Sequence, residues 1–122
     1  MKKPISPRAH GALDYVTAGA AALLSQTLQF SRPASRAARG WALGYSVLSA
    51  LTDYPLSLRR TLPFKAHGAL DAAMAPISPA LPWLFGFARD RRARNFFLGL
   101  AALTVVVTAL TDWGPSFAEE RP

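Results

Sequence analysis

Four apolar stretches, each interrupted by one aspartate, constrain this chain more than anything else. Between Arg8 and Arg32 the only fully charged residue is Asp14, and between Arg39 and Arg59 it is Asp53. Between Lys65 and Arg89 it is Asp71, and between Arg94 and Glu119 it is Asp112. Each stretch approaches the roughly 20 residues a helix needs to cross a hydrocarbon core at about 1.5 Å per residue. A soluble helix would carry a polar face over about half its circumference. The run Asn95–Leu110 has only Asn95, Thr104 and Thr108 as polar residues. The expectation is an all-α fold, a four-transmembrane-helix up-down bundle with spans at about 9–30, 37–54, 66–87 and 94–113. The first span carries no small-residue cleavage pattern after it and reads as retained.

Composition agrees. The 122 residues suit one integral membrane domain, 1–122. Hydrophobic residues are 51% and charged residues 17%, the latter below the roughly 25% of soluble domains, which excludes a disordered chain. Mean hydropathy is only +0.15 because Ala and Arg dilute the average. With no cysteine, disulfides, thiolate metal sites and cysteine nucleophiles are excluded. The net charge of +7 favours anionic partners. The connections SRPASRAAR, YPLSLRRTLPFK and ARDRRAR are short and basic, so successive helices should be antiparallel neighbours. Aromatics at the span ends suggest interfacial belts, with Tyr15, Tyr54 and Trp113 toward one face and Trp41, Trp83, Phe85 and Phe87 toward the other. Lys2, Lys3, Arg8, Arg59, Arg60, Lys65 and Arg121 balance seven arginines on the opposite side, so the positive-inside rule finds no asymmetry. Both termini are placed in the cytoplasm, and the location expected is the inner cell membrane.

The chain is also written twice. HGALD occurs at His10–Asp14 and again, 57 residues later, at His67–Asp71. ALTD occurs at Ala50–Asp53 and, 59 residues later, at Ala109–Asp112, each time followed by an aromatic. The unit is a helical hairpin, with repeat 1 at about 7–55 and repeat 2 at about 64–114. Two spans per copy make the copies enter the membrane in the same direction, related by a pseudo-two-fold axis along its normal.

The second copy contains ISPALPWLFGF, in which Ser78-Pro79 is followed after three residues by Trp83. In this it resembles the SPW-repeat proteins, small bacterial membrane proteins with a Ser-Pro-Trp element in the first of two transmembrane helices. The His-Gly-x-x-Asp start after Ile5-Ser6-Pro7 is similar to that of small four-span bacterial proteins. The resemblance implies a fold and a location, and no activity.

The two histidines and four of the seven acids lie in the repeated motifs. His10 and His67 open helices 1 and 3, and Asp53 and Asp112 close helices 2 and 4. An up-down bundle puts those ends on one side. His and Asp four apart share a helix face. His10, Asp14, Asp53, His67, Asp71 and Asp112 are therefore expected to ring one end of the bundle. The leading reading is a structural network in a small membrane protein without catalysis of its own, acting as a structural or interaction component. The alternative is a metal-binding or proton-handling site, because intramembrane ionisable groups mark function and imidazole with carboxylate suits Zn, Mn or Fe. A haem held by the two histidines has no other support in the sequence. Helix 3 is expected to kink or break at Pro76, Pro79 and Pro82. The arginine clusters suit anionic lipid headgroups or loop anchoring. A membrane-protein partner or a second copy fits the small-residue spans. Nucleic acid is not expected, since the bases split between both sides.

Overall fold

A computed structural model describes residues 3–114; Lys2, Arg121 and the acidic residues of the tail lie outside the described residues. Four helices form: α1 (Pro7–Thr27), α2 (Arg32–Leu51), α3 (Phe64–Leu84) and α4 (Arg91–Leu110). α1 packs on α2 and α3 on α4, while α2 and α3 touch little, so the chain is all-helical in two hairpin-like pairs.

Every helix starts and stops earlier than the apolar pattern suggests, for local reasons. Ser6 accepts a hydrogen bond from the Ala9 N–H and Pro7 supplies the first turn, so α1 begins before His10. Arg32-Pro33 likewise opens α2 inside what reads as a connection. The Asp90 carboxylate caps α4 at Ala93 N (3.2 Å) and also accepts from Ser31 N (2.7 Å), joining the starts of α2 and α4. Partial burial pushes the Asp90 carboxyl up, but these N–H donors outweigh it and hold it below the usual carboxylate range. Arg92 donates to the Leu28 carbonyl and Arg94 to that of Ala88, so two arginines of the last connection anchor loops.

The first helices of both repeats end in the same turn. Phe30 N donates to Ser25 O and Phe87 N to Pro82 O, the six-to-one bond of a Schellman closure. The left-handed residue is Gln29 (φ 52°) in the first copy and Gly86 (φ 73°) in the second. A side chain in that region costs about 1–2 kcal/mol relative to glycine. Gln29→Gly is therefore expected to stabilise the protein by up to about 1 kcal/mol. Thermal melts in one detergent would check this, and an unchanged or lower Tm would contradict it.

α3 runs through Pro76, Pro79 and Pro82 as one continuous helix to Leu84, so of the kink or break expected from them the break does not occur. Spaced three apart at about 100° per residue, the three rings occupy one arc of about 120° rather than interrupting every face. The aromatic belts also need correction. Trp41 is buried and stacks on Tyr45, with ring centroids 4.3 Å apart. Phe87 is buried against Phe97, and Tyr54 is wholly buried, whereas Trp83 and Phe85 are exposed.

The interior is made of small residues. Ala18, Ala21, Ala34, Ala38, Ala42 and Ala93 are buried among Phe30, Trp41, Phe87, Phe97 and Leu100. Many large aliphatics face out, Val16 being 69% exposed, Leu43 68% and Leu84 68%, while Leu100 and Val107 are buried. Taken alone, α4 is the one helix among the described residues that is long and apolar enough to cross a membrane.

Candidate metal centre

The candidate residues converge where the two repeats are stitched together. Helices α2 and α4 both end by turning into extended backbone, at Thr52 (φ −80°, ψ 140°) and Thr111 (φ −79°, ψ 137°). Each end pairs with the segment that leads into the other repeat's first helix. Ile5 bonds to Leu110 O and Asp112 N, while Leu62 bonds to Leu51 O and Asp53 N. This pairing sets the register in which α1 and α3 present their histidines.

Gly11 and Gly68, the second residues of the two HGALD motifs, make the approach close enough. A Cβ on Gly11 would lie 2.8 Å from the Tyr54 ring, and one on Gly68 would lie 2.9 Å from the Trp113 ring. The aromatic after each ALTD thus fills the space that glycine leaves. Phe64 and Trp113 pack over His10, and Tyr54 lies beside His67, walling this end with rings.

Inside the wall, His10, Asp14, His67 and Asp71 bring four potential ligand atoms within 4.8 Å of one another. The Nε2 atoms of His10 and His67 are 3.3 Å apart. His10 Nε2 lies 3.4 Å from Asp14 Oδ2 and 3.1 Å from Asp71 Oδ2. His67 Nε2 lies 3.0 Å from Asp14 Oδ2 and 3.4 Å from Asp71 Oδ2. Both histidine side chains are fully buried, and those of Asp14 and Asp71 are 12% and 4% exposed.

The far side of each imidazole fixes its tautomer. His10 Nδ1 is 2.9 Å from Thr111 Oγ1, and His67 Nδ1 is 2.8 Å from Thr52 Oγ1. Each threonine hydroxyl has one proton and donates it to a helix carbonyl, Thr52 to Leu48 O and Thr111 to Val107 O. The hydroxyls must therefore accept from Nδ1–H. In the neutral ring this leaves the lone pair on Nε2, aimed at the other histidine and at both carboxylates. Each histidine takes its threonine from the other repeat, so neither repeat builds the arrangement alone. Ser49 adds a hydrogen bond to Asp14 Oδ2 (3.2 Å).

Of the six residues expected to ring this end, the structure brings four together and leaves two aside. Asp53 and Asp112 do not join the group. Their N–H groups go to Leu62 O and Ile5 O, and Asp112 Oδ1 accepts from Gly114 N. In extended backbone successive side chains point to opposite sides. With Thr52 and Thr111 turned to the histidines, the aspartates that follow are turned away. The threonines are the residues the sequence reading missed, and their signal was the duplicated Thr inside ALTD.

The arrangement suits an ion. Two carboxylates balance one divalent charge, and two neutral imidazoles complete the donors. Five of the six separations among these atoms are 3.0–3.4 Å and all lie within 4.8 Å, close to the roughly 3.3–3.6 Å between donors around an ion bound at about 2.0–2.2 Å. The threonine hydroxyls behind the imidazoles take the place of the outer hydrogen-bond partners that metal-bound histidines use. The chain matches no family model, no curated protein and no solved structure.

Proposed function

We propose that this chain is a multi-pass protein of the inner cell membrane that holds one divalent transition-metal ion. The ion would sit between the two repeats, on His10, Asp14, His67 and Asp71. One observation carries this reading. Five separations among four donor atoms, three on buried residues and one on the part-buried Asp14, fall at 3.0–3.4 Å, with both imidazole lone pairs directed inward by threonines. Without an ion or protons among them, four converging acceptors would repel. An ion of charge two neutralises the pair of carboxylates, which uncompensated would be costly to bury. The donor set favours Zn, Fe or Mn over a hard cation that takes only oxygen.

The membrane part of the proposal rests on the distribution of polarity. The polar groups, His10, His67, Asp71, Ser25, Ser49 and Ser78, are inside, while Val16, Leu23, Leu43, Leu84, Val105 and Val106 are outside. That suits hydrocarbon outside, close packing through alanine inside, and ionisable groups turned to the bundle interior. The chain is expected to stay with the membrane pellet through an alkaline carbonate wash, and release into the supernatant would contradict this.

The metal reading is tested by elemental analysis of detergent-purified protein, as isolated and after chelation and reloading with Zn, Fe or Mn in turn. About one ion per chain is expected for at least one of them. Less than about a tenth of an ion with every metal would overturn the reading. The four residues would then act as an ion-pair clasp between repeats.

A further inference from the structure

Beside the four ligand atoms lies a cavity of about 30 Å³, lined by Asp14 and Asp71 but not by either histidine. It therefore opens on the carboxylate side of the cluster. The remaining lining includes Trp41 and Tyr45 of α2 and Thr108 of α4. Trp41 Nε1, Tyr45 OH and Thr108 Oγ1 are buried and have no hydrogen-bond partner among the described residues. The same holds for Asp71 Oδ1, the carboxylate oxygen that stands beside the one facing the histidines.

Tyr45 OH stands near enough to the Asp71 carboxylate to interact with it, but Trp41 Nε1 and Thr108 Oγ1 beside the same small cavity need an account, because buried polar groups are nearly always hydrogen-bonded. The repeat shows that this is a departure from symmetry. At the offset of 59, Thr108 stands where Ser49 stands in the first copy. Ser49 donates to Asp14, whereas Thr108 has no such partner. Trp41 and Tyr45 correspond at that offset to Leu100 and Thr104, so only one side of the cluster is furnished with aromatic donors. Four protein ligands close a tetrahedral zinc site, whereas an ion that takes five or six donors keeps a further position for water or substrate. About 10–15 Å³ holds a water, so this cavity takes two, or a molecule of two or three heavy atoms.

We infer that the metal held by His10, Asp14, His67 and Asp71 keeps an open coordination position toward this cavity, for water, hydroxide or an equally small oxygen- or nitrogen-donor ligand. The inference rests on the metal reading above. Tyr45 O–H, Trp41 N–H and Thr108 O–H supply donors to the bound ligand, and Asp71 Oδ1 accepts a proton from one that carries it. The class fits the volume and the three-to-one ratio of donors to acceptor. Leu13, Leu103 and Val107 supply the apolar part of the lining.

The test uses the full chain in detergent, loaded with Co²⁺, with metal content measured beside the visible spectrum. Azide is the probe, and imidazole is the oversized control. Azide is expected to change the d–d bands saturably, and imidazole is expected to leave them unchanged. Tyr45→Phe and Thr108→Val keep the volume and remove one donor each. Each should weaken azide binding by about tenfold, with metal content unchanged. A full complement of cobalt with bands indifferent to azide overturns the inference and leaves the metal reading standing. So does azide binding of undiminished strength in both variants. A failure to load cobalt, Zn, Fe or Mn overturns both.

Discussion

Replacing His10 and His67 together by alanine is expected to lower bound metal from about one ion per chain to below about a tenth. Structural zinc sites bind with about 10–16 kcal/mol over four ligands, or roughly 3 kcal/mol per ligand. Removing two therefore costs on the order of 6 kcal/mol, about ten-thousandfold in affinity. The double variant leaves Asp14 and Asp71 facing each other with the imidazoles and the ion between them gone, which also strains the junction between repeats. A companion pair, Asp14→Asn with Asp71→Asn, removes the charge at constant volume and guards against reading a folding failure as a lost site. Both pairs should elute at the native position in detergent and both should be metal-free. Elemental analysis of the folded fraction decides. Retained stoichiometric metal in either pair would exclude these residues as the ligand set.

The folding pattern was legible because the features that fix it are written twice. HGALD at both copies put a histidine and an aspartate one turn apart, and the hairpin topology put the copies at one end. The convergence of His10, Asp14, His67 and Asp71 follows from those two facts. Asp53 and Asp112 were misjudged because charge alone was followed across the helix ends. The chain leaves the helix at Thr52 and Thr111, and in extended backbone a shift of one residue reverses which side chain faces in. The same ALTD copies held the answer in the neighbouring threonine, whose uncharged hydroxyl fixes the histidine tautomer. Of the kink or break expected from the prolines of α3, the break does not occur, because one missing donor per proline does not by itself end a helix. The cavity was not legible at all. Trp41, Tyr45 and Thr108 stand at positions where the copies differ, so the repeat gave no reason to group them.

The hydroxyls can be isolated from everything else at this site. Thr52→Val and Thr111→Val keep the shape of the side chain and delete the hydroxyl that accepts from Nδ1–H and donates to the Leu48 or Val107 carbonyl. Each is expected to weaken metal binding by about 10–100-fold, the usual cost of removing a hydrogen-bond partner behind a metal-bound histidine. The cause is twofold. An Nδ1–H left unpaired in a buried site costs about 1–3 kcal/mol, and the ring is no longer held with Nε2 free for the ion. The two variants should be nearly equal, because His10–Thr111 and His67–Thr52 are the same contact in swapped copies (2.9 and 2.8 Å). Thr→Ser at either position retains the hydroxyl and should restore most of the affinity. Competition against a chromophoric zinc chelator reads the difference directly. A loss below about twofold in both valine variants, with metal still bound, would show that tautomer control does not set the affinity. Equal losses in the valine and serine variants would place the effect in packing rather than in the hydroxyl.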